Sequence, residues 1–151
     1  MFKYHLFLLV KLPIAIIAGV RLRSISLESC TTSVKHRWLN QNPFQSIYFA
    51  VQAMAAELST GALVLQFIKQ QKSSISMLVV AQQAEFFKKA TGRIYFVCND
   101  GAAIENAIKN AINTNEAQIC IMEAVGKNEN DDTVAVFKFT WSVKQKKSPM
   151  I

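Results

Sequence analysis

Apolar positions recur at two different spacings along the chain, and the switches between them mark its elements. Residues 1–18, "MFKYHLFLLVKLPIAIIA", are mostly apolar. Lys11 and Pro13 cut that run into pieces well short of the roughly 20 residues a membrane span needs. An amphipathic helix packed on the domain is the expectation, ahead of a cleaved, anchoring or membrane-surface segment. Val20 and Leu22 then alternate with polar neighbours, the phase shifts to Ile25 and Leu27, and Val34, His36 and Trp38 fall on one side. Alternation predicts half-buried strands, and the shift predicts a bulge. "NQNPFQS", residues 40–46, reads as a loop, with Ser46 placed to cap the next helix.

That helix spans about Ile47 to Gln66 and is apolar on nearly every side. "ISMLVVAQQAEFFKKA", residues 75–90, predicts a long strand, which Thr91-Gly92 turns into a second β-rich run, "RIYFVCND". Ala103, Ile104, Ala107, Ile108 and Ala111 stand at helical spacing. "EAQICIMEAVGK" and "TVAVFKFTWSVKQK" predict two more strands joined by "NENDD" as a hairpin turn, with Phe137, Phe139, Trp141 and Val143 alternating on the last. No βαβ alternation and no repeat occurs. The order predicts an α+β fold, an antiparallel sheet wrapped around one long central helix, which must then be apolar almost all round.

Composition changes this picture little. The chain has 151 residues, the size of one domain, expected at 19–147 with a tail at 148–151, and 51% of it is apolar. The net charge of +7 permits anionic partners, but the only dense basic group, Lys144 to Lys147, reads as a solvated strand end. Without a clustered basic and aromatic face, nucleic-acid binding is the weakest function class. Cys30, Cys98 and Cys120 form no CxxC pair and predict reduced thiols in a cytosolic, cytoplasmic setting, the last two in core strands. His5 and His36 have no cysteine, histidine or carboxylate at ligand spacing, so no metal is expected; no Ser–His–Asp set, GxSxG, GxGxxG or Walker motif occurs either.

One residue breaks the pattern. Glu57 lies in the middle of the apolar helix and is the only acidic residue between Glu28 and Glu85. At 100° per residue it shares a stripe with Ala50, Ala53, Met54, Gly61 and Val64. A carboxylate there is costly to ionise alone, and its small neighbours leave room for a second body. Burial raises such a pKa toward working pH, which suits a general base or a nucleophile. The free N–H groups at the helix start, around Tyr48 to Ala50, suit a developing oxyanion. Glu57 lies too far along the helix to serve its own N-terminus, so chemistry here requires two antiparallel helices across a two-fold axis. The other reading is a carboxylate satisfied at a subunit interface without chemistry, and the residues alone leave the two level.

The segments "LPIAIIAGVRL", "NPFQSIYFAVQAMAAELSTG", "AEFFKKATG" and the final strand pair resemble the hotdog-fold thioesterases, most closely the branch near the phenylacetyl-CoA (PaaI-type) thioesterases. The resemblance covers roughly residues 12–145. It departs at one place: the family's frequent His-Gly-Gly is replaced by Tyr48-Phe49-Ala50, although Glu57 keeps the family carboxylate's spacing of nine residues from the first of these. The resemblance implies a site at a homodimer or dimer-of-dimers interface, an acyl-CoA or acyl-carrier thioester as substrate, and no cofactor beyond coenzyme A as part of that substrate. It implies Glu57 as base or nucleophile. Asn42 is placed to orient the water or the acyl carbonyl, and is equally a turn residue before Pro43. Tyr48, Phe49 and Ala50 fall at the oxyanion position, where Tyr48 is also a candidate aromatic anchor at the interface. Lys88, Lys89 and Arg93 fall near the family's coenzyme A arm, where basic side chains can meet phosphates, and are also plausible as a solvated hairpin end. Thioester hydrolysis is the leading function. Acyl-CoA binding without turnover competes, because the missing glycines are what let backbone approach a substrate closely. Dehydratase chemistry ranks low, with no histidine near the helix.

Overall fold

The computed structural model describes residues 10–146. Ten elements follow one another: helix α1 (Pro13–Ile17), strands β1 (Arg21–Ile25) and β2 (Cys30–Lys35), a 3-10 turn (Trp38–Asn40), helix α2 (Phe49–Lys69), strands β3 (Ile75–Phe86) and β4 (Arg93–Cys98), helix α3 (Gly101–Thr114), and strands β5 (Gln118–Lys127) and β6 (Thr133–Gln145). The six strands form one antiparallel sheet in the order β1-β2-β4-β5-β6-β3, curved around α2. This is the α+β architecture expected.

The alternation along β4 and β6 sets the core. On β6, Phe137, Phe139, Trp141 and Val143 all point inward and are buried, as their spacing requires. Phe137 sits at the centre of an aromatic group: its ring meets Phe86 and Phe96 edge-on at 5.6 and 5.8 Å and stacks on Phe139 at 6.1 Å. The bulge foreseen in the first strand is present as a register shift between Leu22 and Ser24. Cys98 and Cys120 are buried strand residues as expected, and Cys30 faces Cys98 across the β2–β4 pair. Burial pushes both the Cys30 and the Cys98 thiols up to about 12.

Four expectations need correction. Residues 36–38 do not extend β2: the strand ends at Lys35, and Trp38 is 82% exposed in the 3-10 turn. Ser46 does not cap α2. The helix begins two residues later, with Tyr48 at its N-cap and no side-chain cap, and it ends at Lys69. Thr91-Gly92 does not close a hairpin between neighbours. β3 pairs with β6 at one edge of the sheet, and the chain crosses to place β4 between β2 and β5. The long β3 finds an equally long partner only in β6, with eleven paired positions. The N-terminal segment is not one continuous helix in its described part, since Leu12 interrupts it before Pro13. Residues 1–9 of that expected helix and the tail at 148–151 lie outside the described residues.

α2 is long and apolar enough to cross a membrane by composition, yet two thirds of that stretch is buried against the sheet. Its serines and threonines are satisfied locally. Ser59 Oγ donates to the Ala56 carbonyl and Thr60 Oγ1 to that of Glu57, each three residues back. Trp141 Nε1 donates to Thr60 Oγ1 at 3.0 Å, and Thr32 Oγ1 to the Ala55 carbonyl, which pins α2 to β6 and β2.

α3 is docked by a backbone contact at Gly101. A Cβ added there would run into the Leu27 carbonyl oxygen and the Glu28 backbone at the β1–β2 turn. Backbone on both sides cannot retreat as a side chain can. Gly101→Ala is therefore expected to lower stability by about 1–3 kcal/mol, the usual range for overpacking, read as a shift in the urea midpoint at constant slope.

Candidate functional site

α2 is not closed on all sides. Ala50, Ala53, Met54 and Glu57 are only half-buried, while Val64 on the same stripe is fully buried. Of the stripe, Glu57 and Gly61 line a narrow apolar cleft of about 60 Å³. It is also lined by Leu58 and Leu65 of α2, Leu12, Leu22 of β1 and Met77 of β3. β1 and β3 are the two edges of the sheet, so the cleft is the gap left where the sheet fails to close around the helix.

Glu57 stands at the mouth of that gap. Its carboxylate makes no hydrogen bond or ion pair among the described residues, and burial alone raises its pKa above the ordinary value. Gly61 sets where the carboxylate lies. A Cβ at Gly61 would come 3.0 Å from Glu57 Oε1 and 3.2 Å from the Trp141 ring, so the glycine lets the Glu57 side chain fold down over the helix one turn on. Trp141, held by Thr60, forms the floor beneath.

The other candidates gather elsewhere. Asn42, Phe49, Lys88 and Lys89 line a second, open groove of about 340 Å³ at the start of α2. The N–H groups of Phe49 and Ala50 have no helical acceptor, being first-turn donors, while those of Val51 and Gln52 already bond the Tyr48 carbonyl. Asn42 is built into its turn: its Oδ1 accepts from the Phe44 and Ser46 N–H groups and its Nδ2 donates to Ser46 Oγ. That leaves one amide hydrogen of Asn42 available. Tyr48 is 47% exposed and packs edge-on against Phe49 at 5.0 Å. Lys88 pairs with Asp132 at 3.0 Å; the Asn128 hydrogen bond and then this lysine hold the Asp132 carboxyl below its usual range. Lys89 Nζ donates to the Phe44 carbonyl at the groove's rim. Arg93 lines neither cavity and pairs in register with Lys35.

Within one chain, then, the carboxylate and the helix start are apart. Glu57 lies eight residues past Phe49, about 12 Å along the axis at 1.5 Å per residue. Gly61 entered the sequence reading only as one more small residue of the stripe, and Gln52 had no place in it. Gln52 lines the groove at the helix start and is 5% exposed. The signal for it was the one that drew attention to Glu57, a polar side chain within an apolar helix.

A curved sheet around one helix, with an open stripe between the sheet's edges, is the hotdog fold, and solved structures of that class superpose on it over nearly their whole length. A Chlorobaculum tepidum protein of unknown function is similar at 16% identity and a TM-score of 0.81, over 95% of this chain and 93% of that one. A Haemophilus influenzae thioesterase is similar at 13% identity and a TM-score of 0.70, over 98% and 94%. A mutant thioesterase from Pseudomonas aeruginosa is similar at 15% identity and a TM-score of 0.70, over 95% and 94%. No curated protein sequence matches the chain. Residues 4–143 match the family described as "Domain of unknown function (DUF4442)", and the chain belongs to that family.

Proposed function

We propose that the protein hydrolyses acyl thioesters, coenzyme A or carrier-bound, at a site shared by two copies and related to the PaaI-type branch of hotdog enzymes. The observation that carries the reading is the Glu57 carboxylate: without a partner among the described residues, raised in pKa by burial, and opening on an apolar cleft. A second copy antiparallel to the first brings its helix start, with the free N–H groups of Phe49 and Ala50, toward Glu57. Glu57 then takes a proton from the attacking water or attacks the thioester carbonyl itself, and the N–H pair receives the oxyanion. Asn42 orients the carbonyl with its remaining amide hydrogen. Thioesterases among the superposed structures support the class at the level of fold.

Phe49 supports a second reading, binding without turnover. Its ring is half-exposed at the groove, where a glycine would leave the backbone open. The deciding experiment is an assay of the purified protein against short, medium, long-chain and aryl acyl-CoAs, following free thiol. Saturable turnover supports hydrolysis. Saturable binding without turnover supports the second reading, and the absence of both turnover and binding overturns both.

Gly61→Ala gives a sharper test of the geometry. The added methyl meets a flexible carboxylate on one side and a held indole on the other, so the carboxylate is what moves. The carboxylate must give by a few tenths of an ångström, and turnover is expected to fall several-fold, since the rate depends on how closely a reacting group is positioned. Stability should change little, because the better helix propensity of alanine offsets the crowding. Unchanged turnover would mean that Gly61 does not set the position from which Glu57 acts.

A further inference from the structure

We infer that the groove at the start of α2 selects its ligand through Gln52, whose side-chain carbonyl accepts a hydrogen bond from an O–H or N–H group of the bound molecule. The inference deepens the thioester reading, on which the choice of probes rests. The groove holds about 340 Å³. Its floor is Ile47 and Ala90, each 1% exposed and joined by the Ile47 N–H donating to the Ala90 carbonyl at 2.8 Å. Its walls are the rings of Phe49, Phe86 and Phe87.

Asn42, Lys88 and Lys89 stand among the polar lining, and two polar side chains of the lining are buried, Ser46 and Gln52. Ser46 is already bonded to Asn42, whereas Gln52 is only half satisfied. Its Nε2 donates to the Ile47 carbonyl at 3.1 Å, while the buried Oε1 has no partner among the described residues. The Ile47 carbonyl fixes which way the amide points, because only the NH₂ end can face another carbonyl. The group left over is therefore an acceptor, and what completes it must be a donor. Buried acceptors are seldom left unmatched, since the desolvation of the group is then uncompensated.

The same groove offers the opposite chemistry a few residues away, in the N–H group of Phe49, which has no acceptor among the described residues. A ligand that suits both carries a carbonyl for the helix start and an O–H or N–H for Gln52. A thioester substrate supplies that donor from one of two sources: a hydroxyl on the acyl chain, or an amide N–H of the carrier arm. A plain hydrocarbon chain supplies none.

Two probe pairs, each differing in its donor alone, separate these sources. One is S-hexyl-coenzyme A against the same thioether with one chain hydroxyl. The other is pantetheine against pantetheine methylated at its amide nitrogens. Thioethers are not hydrolysed, so calorimetric titration reads binding whether or not the protein turns thioesters over. Failure of the hydrolysis reading would appear as binding without turnover and leave these affinities as they are. Wild type is expected to favour the donor-bearing member of one pair about tenfold, and Gln52→Met to reduce that preference to less than twofold. The pair that responds names the source. No preference in either pair, or a preference that survives Gln52→Met, overturns the inference. If Gln52→Met does not fold, wild type still decides: the Gln52 side-chain amide signals in the nuclear magnetic resonance spectrum must move with the donor-bearing member and not with its counterpart.

Discussion

Glu57→Gln is expected to lower thioester turnover by about 10²- to 10⁴-fold, the range that a positioned acid–base group contributes, while binding of a non-hydrolysable analogue persists. The substitution keeps shape and removes only the ability to carry charge. The same change should raise stability at neutral pH. Burial lifts the folded-state pKa of Glu57 above its unfolded value, so ionising it opposes folding. The native state binds the extra proton, and stability falls as pH rises through the interval from the unfolded to the folded pKa. Below both values the penalty is absent. Melting temperatures of wild type and Glu57→Gln should therefore coincide in acid and separate toward neutrality, with the variant higher. On the proposed role of Glu57, turnover is expected to follow the opposite course, declining as pH falls through the folded pKa, because a base or nucleophile acts in its ionised form. A variant that is both inactive and less stable at neutral pH would mark Glu57 as a structural group whose partner is a second copy.

Phe137→Ala should cost about 3–5 kcal/mol, the usual range for emptying a buried phenylalanine site. The side chain is 1% exposed and three other phenylalanine rings meet it, so little of the space can refill. With domain stabilities of about 5–15 kcal/mol, such a loss is a large share of the total. Urea unfolding at constant slope would measure it. A cost below about 1 kcal/mol would mean that the strands close over the space. The effect reaches the site as well, because Phe86, which packs on Phe137, is a wall of the groove at the helix start.

The fold was legible where periodicity is strict and both faces of an element differ. Phe137, Phe139, Trp141 and Val143 revealed β6, and Ala103 to Ala111 revealed α3. It was not legible where register depends on distant partners. Nothing local to Thr91-Gly92 tells that β3 prefers β6 to β4; that choice rests on eleven pairings with residues 49 to 70 positions away. Trp38 continued an alternation in the sequence, but Lys35 already ends the strand, and the 3-10 turn carries the indole outward. Ser46 met the requirements of a cap, yet Asn42 claims its hydroxyl. At the candidate site, the burial of Glu57 in α2 was legible because a lone carboxylate in an apolar helix is anomalous at any level of description. The role of Gly61 was not, since the contact it avoids lies with Trp141 on a strand eighty residues on.

The distance from Glu57 to the start of its own helix has a consequence for regulation. If the base and the oxyanion donors come from different copies, a solitary chain carries half of each of two sites and completes neither. Catalytic output then scales with the square of concentration at high dilution and linearly once pairing saturates. Abundance itself becomes the control variable. A modest fall in the amount of protein would silence the reaction more steeply than it removes the polypeptide, with no inhibitor required.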